Sequence, residues 1–314
     1  MRLRPLGKTS ISVSELALGT WGLSGDGYGA VPDAEQDRVI ERARALGVTT
    51  FETADCYAAG DMERRLGKLL PDDGKTVVIT KIGTDRDASP PRKRFDVAYL
   101  REALERSRDR LGRRSLDVVL LHGPSAQALG RDDLAGALDE WREAGLFRAW
   151  GVSAGGTEVA RAALNRGVQV LSLAYNLLHA SDLLDLAAAV RQEQTGVIAH
   201  SVLAYGLLAG HWSSEKTFAP GDHRADRWTP DELRRRLRQL SAIRPAVSGT
   251  IGTLRAVALR YVLQNDLVGT AVIGPKNQIQ LDQLVREAGK QPPYLPPERL
   301  NALQARLRDH GVNI

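Results

Sequence analysis

The sequence Phe51-Glu-Thr-Ala-Asp-Cys-Tyr57 places two carboxyl groups and a phenol at the end of the short run 48–51. The next segment, 61–70, has apolar residues at helical spacing. A buried strand followed by a helix is the repeating unit of α/β proteins, in which catalytic groups collect at the carboxyl ends of the strands. This stretch therefore predicts both a fold class and the place of a functional site.

Apolar runs that end in a polar residue recur along the rest of the chain. We predict eight strands, at 16–21, 48–51, 76–81, 116–122, 147–153, 168–176, 196–201 and 269–274. Segments with helical spacing lie between them, at 96–111, 131–145, 156–166, 181–193, 254–265 and 279–288. Eight strands that alternate with helices predict an α/β fold of the closed (β/α)₈ type, the TIM barrel.

Further elements are predicted around the barrel. A short N-terminal β-hairpin comes first, within 3–14, and an extra C-terminal helix comes last, at 296–309. The first barrel helix is expected to begin at Asp33 as its cap, with Gln36 at the third helical position, and to end at Gly47. Residues 1–314 are expected to form a single domain, because this length suits one large α/β unit.

The composition restricts the class of protein. The 43 Lys and Arg residues against 38 Asp and Glu give a net charge of +5, with no long run of one sign. This pattern favours small anionic ligands over nucleic acid. The single cysteine, Cys56, excludes an internal disulfide framework, and no apolar run approaches the roughly 18 residues of a membrane span. We therefore expect a cytoplasmic enzyme with no membrane partner, no export signal and no metal site.

The motifs at the predicted strand ends resemble those of the aldo-keto reductase superfamily over nearly the whole chain. Residues 51–57 resemble the D-T-A-x-x-Y block of that family. Further matches are Thr80-Lys81, Leu120-Leu-His122, Gly151-Val-Ser153, Tyr175-Asn176, the loop 203–210 and the segment 272–281. Each motif alone is weakly specific, but together, in this order, they are characteristic of the family.

The resemblance implies hydride transfer from a reduced nicotinamide to the carbonyl group of an aldehyde or ketone. Tyr57 is then the general acid, and the ammonium of Lys81 is expected to favour the phenolate, because a free phenol has a pKa of about 10. His122 is expected to bind and orient the carbonyl oxygen. The family aspartate that pairs with the lysine is Glu52 here, one methylene longer. Asp55 is an alternative partner for Lys81.

The resemblance also assigns a cofactor site. Ser153 is expected to bind the carboxamide of the nicotinamide, with His200 in place of the aromatic residue that commonly stacks on the ring. The loop 201–210 is expected to bind the pyrophosphate through its backbone, at Ser201, Leu203, Gly206 and Gly210. Lys276 and Asn277 are assigned to the adenosine 2′-phosphate, so NADP(H) is favoured over NAD(H), and Gln280 is a further cofactor-binding candidate.

Three positions depart from the family pattern at this cofactor site. Ala154 and Ser172 replace the asparagine and glutamine that usually hold the carboxamide, and Leu284 replaces a frequent asparagine near the adenine. A lost hydrogen bond costs about 1–2 kcal/mol unless water replaces it.

The substrate is expected to contact loops at the same end of the barrel, namely 21–30, 123–130 and 211–228, together with Trp150. The candidate contacts are Trp21, Trp150, Trp212 and Arg224, which suit a sugar ring, an apolar carbonyl compound or an anion.

Two alternatives to carbonyl reduction remain at this stage. One is a reductase of a carbon–carbon double bond conjugated to a carbonyl. The other is an NADP-binding sensor or regulatory subunit with little turnover, for which Glu52, Ala154, Ser172 and His200 are the motivation.

Overall fold

A short antiparallel hairpin closes the amino-terminal end of the fold in this computed structural model, which describes residues 1–289 and 291–314. Its strands are β1 (Leu3–Pro5) and β2 (Ser12–Ser14). Leu6, Ile11 and Val13 of the hairpin are buried against apolar side chains inside the barrel. The predicted hairpin is therefore confirmed, and the structure shows that it closes one end of the barrel.

Eight parallel strands form the closed barrel. Their neighbours follow chain order and return from the last to the first: β3 (Leu16–Gly19), β4 (Thr50–Glu52), β5 (Val77–Ile82), β8 (Leu116–His122), β9 (Phe147–Ser153), β10 (Val170–Ala174), β11 (Gly196–His200) and β12 (Val268–Ile273). The predicted (β/α)₈ class is confirmed. Between β5 and β8 the chain adds a small antiparallel ribbon that the sequence did not predict, β6 (Thr84–Asp85) and β7 (Arg92–Lys93).

Helices surround the barrel. They are α1 (Asp33–Ala45), α2 (Asp61–Leu69), α3 (Val97–Leu111), α4 (Ala126–Leu129), α5 (Asp132–Glu143), α6 (Thr157–Asn165), α7 (Ser181–Glu193), α8 (Pro230–Ile243), α9 (Leu254–Gln264), α10 (Gln278–Ala288) and the predicted extra helix α11 (Pro297–Asp309). No helix in the described ranges is long and apolar enough to span a membrane.

The core has two layers because strand side chains alternate between the two faces of the sheet. In β8, Val118 and Leu120 pack inside the barrel, whereas Val119 and Leu121 pack outward in the larger cluster beneath the helices. Apolar residues therefore lie on both faces of the sheet beneath the charged side chains at the strand ends.

The predicted start of the first helix is wrong in one detail. Asp33 is the first helical residue and Pro32 is the N-cap, with no side-chain cap. The amide of Gln36 donates to the carbonyl oxygen of Val31 at 2.8 Å instead of closing a capping box. A capping box does occur at α8, where Thr229 and Glu232 bond reciprocally.

Candidate active site

Four ionisable side chains meet at the carboxyl end of three neighbouring strands. Glu52 is the last residue of β4, Lys81 lies in β5, and His122 is the last residue of β8. Tyr57 begins the turn that follows β4. Because β4, β5 and β8 are adjacent in the barrel, all four side chains line one cavity.

Lys81 is the centre of this cluster. Its ammonium forms an ion pair with Glu52 and donates to Tyr57 Oη at 3.0 Å and to the carbonyl oxygen of Thr53 at 2.8 Å. The side chains of Lys81 and Glu52 are only 4% and 7% exposed, so solvent screens the pair weakly. Burial opposes the charge, but Glu52 and Tyr57 raise the pKa of Lys81 above its ordinary value. Lys81 is therefore cationic at neutral pH.

Tyr57 keeps its proton at neutral pH. Burial raises the pKa of Tyr57 above its ordinary value, and the positive charge of Lys81 offsets only part of that effect. Lys81 acts in the expected direction, because its charge lowers the pKa of Tyr57, but the effect of burial is larger. A protonated phenol beside an ammonium remains a competent acid, because Lys81 stabilises the phenolate as the proton leaves.

His122 faces Tyr57 across the cavity, with ring centroids 6.2 Å apart and the planes nearly perpendicular. Burial, together with the positive charges of Lys81 and Lys93, holds the pKa of His122 well below its ordinary value. A neutral imidazole carries one N–H donor and one acceptor nitrogen. His122 can therefore donate a hydrogen bond to a carbonyl oxygen without being charged.

The alternative pairing of Asp55 with Lys81 does not occur. The main-chain N–H of Asp55 donates to the carbonyl oxygen of Lys81 at 2.9 Å, and within the described chain one carboxyl oxygen is buried without a hydrogen-bond partner. Burial and the nearby carboxylate of Glu63 raise the pKa of Asp55 to about 7. Glu52 is the partner of the lysine, and Asp55 is a separate buried carboxyl group.

Most residues predicted to bind the cofactor line the same cavity, which has a volume of about 940 Å³. Those residues are Ser153, His200, Ser201, Leu203, Gly206, Lys276 and Gln280, and Leu284 lines it as well. Burial, with Lys81 nearby, lowers the pKa of His200 to about 4, so its ring is neutral at pH 7. The cavity is at the upper end of the usual size range for small-ligand sites, roughly 300–1,000 Å³.

Two residues predicted to bind the cofactor lie outside the lining. Asn277 caps α10, where its side-chain oxygen accepts from the N–H of Gln280 at 2.9 Å. Gly210 has a positive φ angle of 82°, a backbone conformation that favours glycine. Of the two departures near the carboxamide, Ala154 is buried, and Ser172 Oγ is buried without a hydrogen-bond partner in the described structure.

The cavity fits an anionic dinucleotide at the end that contains Lys276. Its ammonium donates to the carbonyl oxygen of Tyr28 at 2.6 Å, a neutral acceptor that leaves the positive charge uncompensated. In the lining of the same cavity, Ser201, Tyr205 and Gly206 have positive φ angles of 54°, 60° and 97°. Sharp backbone turns of this kind are common in loops that bind phosphate groups. The described residues therefore suit a bound nicotinamide dinucleotide.

An aromatic cluster covers one side of the cavity. The ring of His223 lies 4.6 Å from Trp21 and 4.7 Å from Tyr28, between centroids. The main-chain N–H of His223 donates to the carbonyl oxygen of Gly27 at 3.0 Å. This hydrogen bond joins the loop after β3 to the loop after β11. Trp21 and Trp212 line the cavity as predicted.

Arg224 lines the cavity, but its charge is already paired. Its guanidinium bonds both oxygens of Asp222, with Nε–Oδ1 2.8 Å and Nη2–Oδ2 2.5 Å. It also lies over the rings of Tyr28 and Phe218, 4.8 Å from each centroid. These contacts indicate that Arg224 stabilises the aromatic cluster. They do not favour the predicted contact between Arg224 and an anionic substrate.

The prediction of Trp150 as a substrate contact is wrong, whereas that of the loop 123–130 stays a prediction. Trp150 is 4% exposed and packs in the outer layer, where its indole N–H donates to Asp139 of α5 at 3.0 Å. Successive side chains of β9 point to opposite faces of the sheet. Ser153 is an odd number of residues from Trp150, so its side chain lies on the inner face and lines the cavity. The loop 123–130 contributes no lining residue to this cavity.

Thr84 and Arg86 line the cavity but were not predicted, whereas Asp26 lines it within the predicted substrate loop 21–30. The carboxylate of Asp26 accepts from the N–H of Ala58 at 2.7 Å and lies 3.4 Å from Arg86 Nη1. The strand-end pattern that identified Lys81 could have been extended to Thr84 and Arg86, which follow it directly. Asp26 was predicted only through the range of its loop, because its own place depends on a contact with the turn after β4.

Comparisons with known proteins agree with this geometry. The model of the Aldo/keto reductase family matches residues 15–303, and the chain belongs to that family. An uncharacterized oxidoreductase of Mycobacterium tuberculosis (strain H37Rv) is 34% identical over 263 residues, covering 79% of this chain and 72% of the relative.

Two named relatives extend the comparison. The D-threo-aldose 1-dehydrogenase of a Pseudomonas species is 30% identical over 290 residues, covering 82% of this chain and 84% of the relative. The structure of the glycerol dehydrogenase from Gluconobacter oxydans superposes with a TM-score of 0.84 at 24% identity, covering 99% of this chain and 97% of that one. Family membership and these relatives identify an NAD(P)H-dependent oxidoreductase.

Proposed function

We propose that this protein reduces the carbonyl group of an aldehyde or ketone with NADPH, with Tyr57 as the general acid. The observation that carries the proposal is the 3.0 Å contact between the protonated phenol of Tyr57 and the buried ammonium of Lys81. Glu52 keeps Lys81 charged, and His122 faces Tyr57 across the same cavity.

Each of these side chains has a defined task in carbonyl reduction. A reduced nicotinamide, when bound in this cavity, would supply the hydride to the carbonyl carbon. The phenol of Tyr57 donates a proton to the carbonyl oxygen, and Lys81 stabilises the phenolate that remains. The neutral imidazole of His122 hydrogen-bonds the same oxygen and orients the carbonyl group, which raises the rate by positioning. In the reverse direction the Tyr57 phenolate accepts the proton of an alcohol.

The preference for NADPH rests on Lys276. Its ammonium lines the cavity, and its hydrogen-bond partner, the carbonyl oxygen of Tyr28, is neutral. By contrast, Arg255 in the same lining is held by Glu287 at 2.6 and 2.7 Å, so its charge is compensated. Among the described lining residues, Lys276 is thus a cation without a carboxylate partner that is available to a 2′-phosphate.

The proposed substrates are small hydroxylated carbonyl compounds, such as aldoses or the oxidation products of polyols. Trp21 offers an apolar ring face, while Asp26 and Arg86 offer hydrogen-bond acceptors and donors in the same lining. The names of the Pseudomonas and Gluconobacter relatives, an aldose dehydrogenase and a glycerol dehydrogenase, point in the same direction.

Fluorescence titration with NADPH and NADH, followed by absorbance assays with aldehydes, ketones and conjugated enones, tests this function. We expect tighter binding of NADPH and oxidation of the nicotinamide that depends on the carbonyl compound. Turnover of enones alone would identify a double-bond reductase instead. Binding without turnover on any of these compounds would identify a sensor and overturn the proposal.

A further inference from the structure

The ribbon after β5 places two side chains next to the imidazole of His122. Thr84 and Lys93 are directly opposite each other in the β6–β7 pair. The ammonium of Lys93 donates to Thr84 Oγ1 at 2.8 Å, and Thr84 Oγ1 lies 3.5 Å from His122 Nδ1. A continuous chain of polar contacts therefore runs from Lys93 through Thr84 to His122.

The contact with Lys93 favours one direction for this chain. An ammonium group can only donate, so Lys93 occupies one of the two lone pairs of the Thr84 hydroxyl. A hydroxyl that accepts from a cation is polarised into a better donor and a poorer acceptor, which favours donation of its one hydrogen to His122 over a second acceptance. Since His122 is neutral, Nδ1 can accept that hydrogen only if the proton of the ring is on Nε2.

We propose that Thr84, oriented by Lys93, is a positioning residue that holds His122 in the tautomer with its proton on Nε2. The consequence rests on the proposed carbonyl reduction: Nε2–H is then the donor that meets the carbonyl oxygen of the substrate. In the other tautomer, the lone pair of Nε2 would face that oxygen and repel it. The ribbon thus prepares the donor before the substrate arrives.

The length of the contact between Thr84 and His122 is compatible with this role. A distance of 3.5 Å is longer than the usual range for a hydroxyl donor. Catalytic hydrogen bonds are often long before the substrate is bound and shorten in the complex. The anchored end of the chain, from Lys93 to Thr84, already has normal length at 2.8 Å.

Cys56 is the competing donor to the same nitrogen. Its Sγ lies 3.7 Å from His122 Nδ1, and burial raises the pKa of Cys56 to about 11, so the thiol keeps its hydrogen. A thiol is a weak donor compared with a hydroxyl. Thr84 is therefore the stronger determinant, and a variant at Cys56 separates the two contributions.

Other charged and titratable groups surround the ring. They are Asp55, Cys56 and Tyr57 in the turn after β4, Lys81 in β5, Lys93 in β7 and His200 in β11. The positive charges of Lys81 and Lys93 both oppose protonation of His122. The ribbon therefore contributes to keeping the ring neutral as well as to the choice of tautomer.

Nitrogen NMR of ¹⁵N-histidine-labelled protein tests the tautomer without the cofactor and without turnover. The His122 signal is assigned by its loss in His122→Gln. We expect the wild type and Thr84→Ser to show the Nε2–H form and Thr84→Val to show a mixture or the Nδ1–H form. Cys56→Ala is expected to leave the Nε2–H form in place. An unchanged Nε2–H form in Thr84→Val would overturn the proposal.

Kinetics give the second readout. Thr84→Val is expected to lower kcat roughly 5- to 10-fold, the usual effect of one lost hydrogen bond, with NADPH binding unchanged and recovery in Thr84→Ser. Lys93→Met is expected to raise the pH at which His122 becomes protonated, because a nearby cation is lost. An unmoved titration in Lys93→Met would remove Lys93 from the proposal. Absence of carbonyl reduction in the wild type would reject the proposed function alone, because the NMR result would still stand.

Discussion

The carboxylate of Glu52 is in direct contact with the ammonium of Lys81, although glutamate is one methylene longer than the aspartate usual in the family. Both side chains are almost fully buried. Glu52 is the last residue of β4, and Lys81 lies on the adjacent strand β5. Because the two strands are paired, the sheet fixes the distance between the backbones of these residues. The additional methylene is accommodated by the side chain while the ion pair is retained.

Replacing Glu52 by Gln should leave the Lys81 ammonium buried without its counter-ion. Breaking one side of a buried ion pair costs about 3–5 kcal/mol of stability. We also expect a lower pKa for Lys81 and a lower kcat. Denaturant unfolding and steady-state kinetics check both effects. Glu52→Asp is the matched variant and should keep at least about one tenth of the activity, because its shorter carboxylate can still reach toward the lysine. Equal losses in both variants would argue against an ion-pair role.

Tyr57→Phe should lower kcat by about 10²- to 10⁴-fold, since the acid is removed while the ring is kept. The affinity for NADPH should not change. Stopped-flow or steady-state assays at pH 7 measure the first effect and fluorescence titration the second. Tyr99→Phe on α3 is the control for loss of a buried phenol outside the cavity. Unchanged turnover in Tyr57→Phe would contradict the mechanism.

Lys276→Met should weaken NADPH binding by roughly 10-fold or more and leave NADH binding nearly unchanged. The physical reason is that only NADPH carries the 2′-phosphate that the ammonium is proposed to meet. Titration of both nucleotides at one ionic strength measures the difference. Lys68→Met, at an exposed position on α2, controls for the change in net charge. Equal weakening of both nucleotides would assign Lys276 to structure rather than to recognition.

Asp55 should make the protein less stable as pH rises from about 4 to about 7. In the folded state its pKa is about 7, whereas the ordinary value is 3.8. Over that interval the unfolded state loses the proton first, so ionisation favours unfolding. Asp55→Asn should remove this slope and raise stability at pH 8 by roughly 1–3 kcal/mol. Unfolding at pH 5 and pH 8 tests it, with exposed Asp109→Asn as the control. A slope that persists in Asp55→Asn would show that another group titrates.

Trp150→Phe should lower stability by about 1 kcal/mol through loss of the indole hydrogen bond to Asp139, and should leave kcat and KM unchanged. Trp21→Phe, within the cavity lining, should change KM for the carbonyl substrate. Thermal unfolding and kinetics of the two variants separate outer packing from substrate contact. A changed KM in Trp150→Phe would contradict the outward orientation.

Much of this site was predictable because it follows the ends of strands. Tyr57, Lys81 and His122 come at or just after the ends of three successive barrel strands, and parallel strands bring those ends together. The inside or outside position of Trp150 depends instead on the parity of β9. Which alternate residues face the barrel interior cannot be predicted from a run in which both faces are apolar. This is the case in β9, whose residues 149–152 are all buried.

Local residue patterns in the sequence were sufficient to predict the barrel, its N-terminal hairpin and the extra helix, and to place Tyr57, Lys81 and His122 at neighbouring strand ends. The roles proposed for these side chains follow from the resemblance to the family. Hydrophobic periodicity and turn residues are patterns of a few neighbouring positions, so they can be recognised without knowing how the chain packs. Tertiary structure alone decided three other features: which carboxylate pairs with Lys81, the net direction of the pKa shift of Tyr57, and the contact between the β6–β7 ribbon and His122. These depend on distances of a few ångströms between segments far apart in the chain and on how far each group is removed from water. Electrostatic energies vary steeply with both quantities, and neither is encoded by residue spacing.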